Sequence, residues 1–322
     1  MRHKSSKATR FLAGLVTAVV LLGLIAFRVT SCAPIRAPAP RPVTAPLAVS
    51  PPKAIAAPTA SPGATPDRVV DACAEGPAAA AAGNRLSLPA LVWAPFGRPE
   101  TGWESYAPLI AREIATACAA DSPGFAAALA AWQARQGFTA DGLMSEAMFT
   151  RLKGLMQIRR PFVLLSAQHI CPEAPAESVL ALATPLEGYA GKAIQLRAGA
   201  LAAYRRLAAA ARAEDPRIAE DPRNLTIFSG YRSPDADAAR CARDGNCDGV
   251  VRATCSPHRT GLAVDLYVGQ APGFGPDSSA DPNRLVISRG AAYRWLVSNA
   301  DRFGFVPYPF EPWHWEWTGE AP

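Results

Sequence analysis

A stretch dominated by proline, alanine, threonine, valine and serine limits where this chain can fold. It runs from residue 33 to residue 68 and holds ten of the chain's 31 prolines. Such a segment buries too little apolar surface to offset the entropy cost of ordering it, and its prolines favour extended backbone. We therefore predict a disordered linker over 33–68, with the folded parts of the 322-residue chain on its C-terminal side.

The segment in front of this linker, residues 1–32, has the pattern of a membrane-targeting sequence. Basic residues precede an uncharged apolar run over 11–27, which is about 25 Å long as a helix and therefore close to the minimum for spanning a bilayer. The basic residues place the start in the cytoplasm and the rest across the inner membrane, in the periplasm. The run is either a retained signal anchor, which we favour, or a lipoprotein signal ending at Cys32. Arg28, between the run and Cys32, fits the lipoprotein form poorly.

The cysteine content agrees with export. Six cysteines remain when Cys32 is set aside, and in an oxidising compartment they allow up to three disulfides with fifteen possible connectivities. Among these we predict the pairs Cys73–Cys118, Cys241–Cys247 and Cys171–Cys255.

The basic composition narrows the choice of partners only slightly. The net charge of +6 and the pI near 9.1 suit nucleic acid, an anionic cell wall or a membrane surface equally well. However, the folded part has no run of arginine and lysine interleaved with aromatic residues. We therefore predict no nucleic-acid partner.

Residues 73–157 are predicted to form a small helical domain. Apolar spacing predicts helices over 105–118 and 125–136, and Ser145 is expected to cap a third helix that ends near Met156. The stretch 131–142, with its Trp-Gln, Gly-Phe and Asp-Gly pairs, resembles the three-helix peptidoglycan-binding domain. An ordinary helical hairpin with a glycine stop and an Asp-Gly turn is the alternative. The Gly-Pro-x-Thr that usually follows the turn in that family is absent from 144–147, which counts against carbohydrate binding more than against the fold.

Residues 160–322 are predicted to form a separate α+β domain. Helices are expected over 193–213 and 291–303, and strands over 225–228, 262–268 and 313–317. These helices and strands do not alternate regularly, which argues against a doubly wound parallel sheet.

Histidine is scarce, with four in the chain, and two of the four lie in clusters of polar and aromatic residues. The first cluster runs from His258 to Asp265 along a predicted strand. An aspartate within such an apolar strand is costly to bury unless a cation or hydrogen bonds compensate it. Gly261 allows a bend, so the two side chains can converge although their spacing has the wrong parity for a straight strand.

The second cluster begins at Glu311 and surrounds His314 with tryptophans. Pro312 lacks an amide hydrogen and is expected to stop the strand, which places Glu311 in a loop. Two neutral imidazoles and a carboxylate, with a fourth position open to water, form a catalytic zinc site, and a further carboxylate can transfer the water's proton. A rival interpretation is a structural zinc site formed by Cys241, Cys247, Cys255 and His258, but it leaves Asp265 and His314 unexplained.

Three motifs give the chain a specific resemblance. They are Ser229-Gly230-Tyr231-Arg232-Ser233, Ser256-x-His258-x-x-Gly261-x-Ala263-x-Asp265 and Glu311-Pro312-Trp313-His314-Trp315. In this order they resemble the D-Ala-D-Ala metallopeptidases, which include D,D-carboxypeptidases of vancomycin resistance and belong with the lysostaphin and hedgehog domains. The resemblance implies an α+β fold in which a small antiparallel sheet with flanking helices surrounds a zinc site.

The resemblance also implies a role for each matching residue. It makes His258, Asp265 and His314 the ligands of one zinc ion per chain, and Glu311 the general base. Arg232 would steady the substrate carbonyl and the oxyanion that forms from it. The substrate-binding residues would be Ser256, at the peptide's terminal carboxylate, together with Tyr231, Asp237 and Trp313.

Two residues depart from the family pattern close to these motifs. Asp237 stands where the family usually has glutamine, so recognition of the substrate's end is expected to differ. Glu316 stands where arginine usually follows His-Trp. On a regular strand it shares the face of His314, and it either orients that ring or competes with Glu311 as the base.

These observations predict a zinc D,D-carboxypeptidase that hydrolyses the terminal D-Ala-D-Ala bond of peptidoglycan stem peptides. The alternatives are an endopeptidase that cuts peptide cross-links with the same metal centre, and a non-catalytic wall-binding protein. We expect a monomer held at the membrane by its N-terminal segment, with the catalytic domain in the periplasm.

Overall fold

A four-stranded antiparallel sheet organises the C-terminal half of the molecule. The computed structural model describes residues 72–245, 247 and 255–322. The described strands, β1 to β8 in chain order, are Val92–Trp93, Glu100–Thr101, Leu180–Leu182, Gln195–Arg197, Ile227–Ser229, Ala263–Leu266, Phe305–Tyr308 and Glu311–Trp317. The larger sheet has the strand order β5-β6-β8-β7, and β1-β2 and β3-β4 form two small antiparallel pairs.

Helices flank these sheets, which confirms the predicted α+β class. The described α-helices, α1 to α10 in chain order, are Ala78–Ala90, Ala107–Glu113, Pro123–Arg135, Glu146–Gln157, Pro161–Ser166, Ala198–Glu214, Pro216–Glu220, Pro234–Asp244, Asp281–Arg289 and Ala291–Asn299. None of the helices in the described ranges is long and apolar enough to cross a bilayer. The predicted anchor over 1–32 and linker over 33–68 lie outside the described residues.

The N-terminal helical region contains the predicted helices and one more. The side chain of Ser145 accepts the Met148 amide hydrogen at the start of α4, as expected for an N-cap. Helix α2 ends at Glu113 rather than at residue 118, because the backbone turns at Ala115, which has a left-handed φ of 59°. Helix α1 was not predicted, since its alanine-rich sequence carries no clear apolar periodicity.

The expected helix over 193–213 begins later than predicted. Residues Gln195–Arg197 form β4, which pairs with β3 and buries Leu196 between two more exposed neighbours. Helix α6 starts only at Ala198. The prediction was wrong for these residues because pairing with a distant strand outweighs the local preference for helix.

Strand β8 also differs from the prediction. It includes both Glu311 and Pro312, so the prediction that Pro312 ends the strand and leaves Glu311 in a loop is wrong. Pairing with β6 reaches only as far as His314, so no β6 carbonyl needs the amide hydrogen that Pro312 lacks. On the β7 side the register shifts, and Tyr308 pairs with Glu311.

The predicted regions 73–157 and 160–322 share one continuous hydrophobic core in the described structure. A buried ion pair also joins them, with Arg284 Nη1 2.8 Å from Glu100 Oε2. The ring of Phe96 packs against that of Phe310, with centroids 5.0 Å apart. The helical region is therefore packed directly against the turn that precedes the strand carrying Glu311, while its status as a separate domain stays a prediction.

All three predicted disulfides are present. They are Cys73–Cys118, Cys171–Cys255 and Cys241–Cys247. Their formation excludes the rival structural zinc site, because the three cysteines that it needs are already bonded. The bond to Cys171 also ties the segment after α5 to the residue that precedes Ser256.

Candidate metal centre

The first predicted ligand, His258, lies on a 3-10 turn, Pro257–Thr260, directly before β6. Gly261 follows with a φ of +70°, a conformation that glycine adopts without strain, and it reverses the chain as predicted. This bend brings His258 Nε2 to 3.2 Å from Asp265 Oδ2. The two residues of the first sequence cluster therefore meet despite their spacing.

The second histidine is placed by the pairing of two central strands. His314 on β8 lies directly opposite Asp265 on β6, and its Nδ1 is 2.9 Å from Asp265 Oδ1. Asp265 thus contacts one imidazole with each carboxylate oxygen. Because cross-strand neighbours are held by the backbone ladder, this half of the site is fixed by the sheet itself.

The hydrogen-bond partners of His258 leave its Nε2, an acceptor, facing the acceptor Asp265 Oδ2. Its Nδ1–H donates to the Gly230 carbonyl oxygen at 2.8 Å, since a carbonyl can only accept. Burial lowers the pKa of His258 below its ordinary value, although Asp265 opposes the shift, so the ring is neutral near pH 7. Its Nε2 lone pair then faces a carboxylate oxygen 3.2 Å away, an arrangement that a bound cation would stabilise.

His314 has a carboxylate at each ring nitrogen. Nδ1 faces Asp265, and Nε2 lies 3.3 Å from Glu316 Oε1. Burial alone would lower the pKa of His314, but the hydrogen bonds to Asp265 and Glu316 raise it to about 9 in the metal-free protein. Both ring N–H groups are then occupied, and a metal ion would take the place of the Nδ1 proton.

This elevated pKa can be tested by NMR. We expect the His314 ring protons of the zinc-free protein to titrate near pH 9, about 2.5 units above an ordinary histidine. Because the folded-state pKa is the higher one, the stability that this group contributes is full below about pH 6.5 and is lost as the pH rises through 9. The resonance is assigned by its loss in His314→Ala, and zinc should abolish its titration. An ordinary pKa would contradict the assigned hydrogen bonds.

Together the three side chains fit a metal ion of the zinc type. The ligand atoms of His258, Asp265 and His314 lie within 4.8 Å of one another, and all three residues are buried. Ligand atoms bound at about 2.0–2.1 Å to a tetrahedral ion are roughly 3.3 Å apart. This spacing is close to the distances from the Asp265 oxygens to His258 Nε2 and His314 Nδ1. Two nitrogens and one oxygen leave a fourth position for water or substrate, as in catalytic rather than structural zinc sites.

The three ligand residues line a cavity of 540 Å³ that contains most of the other predicted site residues. The predicted residues along it, besides the ligands, are Arg232, Asp237, Ser256, Glu311 and Trp313. Glu311 is only partly buried, and its Oε2 lies 3.9 Å from His314 Nδ1. Burial raises the pKa of Glu311 above its usual value, while the charge on His314 opposes the shift.

Arg232 is held in place by three side chains. Its Nε donates to Asp237 Oδ1 and its Nη1 to Ser229 Oγ, both at 2.8 Å, and its Nη2 donates to Ser256 Oγ at 3.3 Å. Ser256 donates its own hydroxyl hydrogen to Asp237 Oδ2. The Asp237 carboxylate is therefore engaged by Arg232 and Ser256, and it fixes the guanidinium from behind.

The two aromatic residues predicted to bind substrate occupy different positions. Trp313 is almost wholly buried and contributes to the wall of the first cavity. Tyr231 lines an adjoining cavity of 440 Å³, which shares Arg232 and Asp265 with the first and also contains Lys192. The groove therefore extends past the metal ligands on the side of Tyr231.

Sequence reasoning missed part of the cleft wall. Phe162 and Val163 of α5 line the first cavity, and so do Arg160 and Tyr308. Arg160 also forms an ion pair with Glu316 and covers the ring of Tyr308, with its Cζ 4.2 Å from the centroid. No motif marks Arg160, and the only available signal was the unexplained carboxylate of Glu316, which needs a cation once it is buried.

Glu316 contacts His314, as the prediction that it orients the His314 ring requires. Burial alone would raise the pKa of Glu316, but the Arg160 charge and the hydrogen bond from His314 lower it to about 2. A carboxylate that is so weakly basic, and that already contacts Arg160 and His314, is a poor proton acceptor. This environment favours orientation of the His314 ring over competition with Glu311.

The fold and the site together define an α+β protein in which three candidate metal ligands line a cleft. Residues 193–320 match the family model described as VanY, D-alanyl-D-alanine carboxypeptidase. This match over 193–320 agrees with the family resemblance that the three motifs predicted. The match does not extend to the N-terminal helical region, so its resemblance to a peptidoglycan-binding domain stays a prediction.

A solved structure of a vancomycin resistance D,D-pentapeptidase, a VanY mutant from a VanB-type resistance cassette in complex with Zn(II), is similar to part of this chain. The two share 24% identity over 46% of this chain and 83% of the other, with a TM-score of 0.27. No curated protein sequence matches the chain.

Proposed function

We propose that this protein is a zinc-dependent D,D-carboxypeptidase that removes the terminal D-alanine from peptidoglycan stem peptides. The observation that carries the proposal is the convergence of His258, Asp265 and His314 on one point of a cleft that also contains Glu311 and Arg232. The match of residues 193–320 to the D-alanyl-D-alanine carboxypeptidase family model supports a peptidase that acts on D-Ala-D-Ala bonds.

In this proposal His258, Asp265 and His314 would hold one zinc ion, the two histidines through Nε2 and Nδ1 respectively. When bound, zinc polarises an amide carbonyl and makes a water molecule acidic enough to be deprotonated near neutral pH. Glu311 lies beside this point, and its raised pKa suits a group that accepts a proton and then releases it. Glu311 is therefore assigned to take the water's proton and deliver it to the leaving amine of D-alanine.

Arg232 is assigned to the substrate carbonyl. Asp237, Ser229 and Ser256 fix its guanidinium at the cleft, and a guanidinium has five N–H donors, two more than these contacts use. A fixed cation beside a carbonyl oxygen stabilises the negative charge that develops there, and it does so without reorganising during the reaction. Asp237 and Ser256 then contribute to substrate binding through Arg232.

The rest of the substrate is assigned to the two connected cavities. Trp313 and Val163 give the first cavity apolar walls, which suit the methyl groups of D-alanine. The adjoining cavity beside Tyr231 and Lys192 gives room for the preceding residues of the stem peptide. We further propose that residues 1–32 hold the protein at the inner membrane, with the enzyme a periplasmic monomer and the helical region in contact with the wall.

Digestion of defined muropeptides tests the reaction. We expect purified zinc-loaded protein to convert a monomeric pentapeptide into a tetrapeptide and free D-alanine, and to leave a D,D-cross-linked dimer of tetrapeptides uncut. Mass spectrometry of the products, with Glu311→Gln as the inactive control, separates the alternatives. Cleavage of the dimer without release of D-alanine would identify an endopeptidase, and an unchanged mixture would indicate a non-catalytic wall protein.

A further inference from the structure

We propose that the buried Arg160–Glu316 pair positions the zinc ligand His314, and that Arg160 comes from outside the family match over 193–320. The inference rests on the proposed zinc site but not on the identity of the peptide that is cleaved. It assigns a role to Glu316, which departs from the family pattern, and to Arg160, which precedes the family match over 193–320.

The contacts form a continuous chain that ends at the ligand. Arg160 Nε donates to Glu316 Oε1 at 2.8 Å, and a second guanidinium nitrogen donates to the same oxygen. That oxygen also lies 3.3 Å from His314 Nε2, the ring nitrogen that faces away from Asp265. A single carboxylate oxygen thus joins the guanidinium to the back of the ligand ring.

This arrangement determines which nitrogen of His314 faces the metal. A carboxylate can only accept, so contact with Glu316 keeps a hydrogen on Nε2 and leaves Nδ1 as the metal-binding nitrogen. A carboxylate behind a metal-bound imidazole also makes it a stronger ligand and fixes its ring plane. Glu316 is therefore a positioning residue, because it acts on the metal through His314.

Arg160 is needed because the carboxylate is buried. The side chains of Arg160 and Glu316 are only 6% and 3% exposed, and an unpaired carboxylate at such a position is strongly unfavourable. Arg160 is fixed in turn by Gln157 of α4, whose Oε1 accepts from Nη1 at 2.6 Å, and by the ring of Tyr308. The segment between α4 and α5 is therefore in contact, through Arg160 and Glu316, with the side of His314 that faces away from Asp265.

The pair could instead serve stability alone, and the chain contains a matched pair that tests this alternative. Glu100 and Arg284 are 3% and 1% exposed and 2.8 Å apart, and Glu100 contacts none of the three metal ligands. Glu100→Gln and Glu316→Gln each remove one charge from a buried ion pair while keeping the side chain's shape. A stability role predicts similar behaviour for the two variants, whereas a positioning role separates them.

The experiment measures the zinc dissociation constant of the full chain by competition with a chromophoric chelator. We expect Glu316→Gln to weaken zinc binding about 10-fold and Glu316→Ala up to about 100-fold, whereas Glu100→Gln stays within about twofold of wild type. The visible absorption of the Co(II)-substituted protein should change in the Glu316 variants alone. Urea unfolding of the metal-free proteins establishes that both glutamine variants fold.

Each outcome decides the inference. Wild-type zinc affinity in Glu316→Gln, or an equal loss in Glu100→Gln, would overturn the positioning role and leave the proposed peptidase intact. Absence of zinc binding in the wild-type protein would overturn both. If zinc binds and the Glu316 variants behave as expected while no D-alanine is released, the positioning role stands and the proposed reaction fails.

Discussion

Replacing Glu311 with glutamine is expected to lower kcat for D-alanine release by about 10²–10⁴-fold while one zinc ion per chain remains bound. Glutamine keeps the size of the side chain but cannot accept a proton from water or return it to the leaving amine. Because Glu311 is not among the three grouped ligand residues, its loss should leave the metal content unchanged. The measurement combines steady-state kinetics with metal analysis of the same protein.

Two matched variants make this result specific to Glu311. Glu316→Gln, measured at saturating zinc, should retain far more activity than Glu311→Gln, because Glu316 is bonded to Arg160 and His314 and is a weak base. Glu177→Gln alters an exposed glutamate and should leave kcat unchanged. The opposite result, an inactive Glu316→Gln at saturating zinc and an active Glu311→Gln, would mean that the roles of the two residues have to be exchanged.

Replacing His258 with alanine is expected to abolish stoichiometric zinc binding and to lower activity by more than about 10³-fold. His258 supplies an unprotonated nitrogen beside Asp265, and only Asp265 and His314 would remain to hold the ion. Its loss also removes the contact between His258 Nε2 and Asp265 Oδ2. Metal analysis after dialysis and the D-alanine assay measure the two effects.

A control for His258→Ala comes from the other described histidine outside the cluster. His169 is exposed and belongs to neither cavity, so His169→Ala should keep both the zinc and the activity. Full zinc occupancy in His258→Ala would show that the metal is held elsewhere. An active, zinc-free His258→Ala protein would contradict the metal mechanism as a whole.

The candidate metal cluster could be predicted because its residues are chemically unusual for their positions. An aspartate within the apolar strand that contains Asp265 requires a compensating partner, and Gly261 marks the bend that makes the partner reachable. His314 is flanked by Trp313 and Trp315 on β8, a central strand of the sheet. The ordered motifs then indicated the family, and the structure brings all three side chains together.

The surroundings of the cluster could not be predicted to the same depth. Arg160 is 156 residues from Glu316, and no local pattern connects them. The continuation of β8 through Pro312 depends on where its neighbours stop pairing, which is a property of the sheet and not of the strand. The start of α6 at Ala198 depends in the same way on β3, a strand too short to give a sequence signal.

The disulfides show how far connectivity can be anticipated. The pair Cys241–Cys247 is separated by only six residues, whereas Cys171–Cys255 spans 84. The long-range bond joins the segment after α5 to the loop that carries His258, and the family match does not include Cys171. Both this bond and the Arg160–Glu316 pair therefore connect the segment over 157–171 to the centre.

Titration of zinc into the metal-free protein, with D-alanine release from a pentapeptide substrate as the readout, tests whether a single zinc ion makes this protein a D,D-carboxypeptidase. Activity should be absent before addition, rise in proportion to zinc and reach its plateau at one equivalent per chain. Activity in the fully chelated protein, or no activity after one equivalent of zinc is bound, would rule out zinc-dependent hydrolysis at this site.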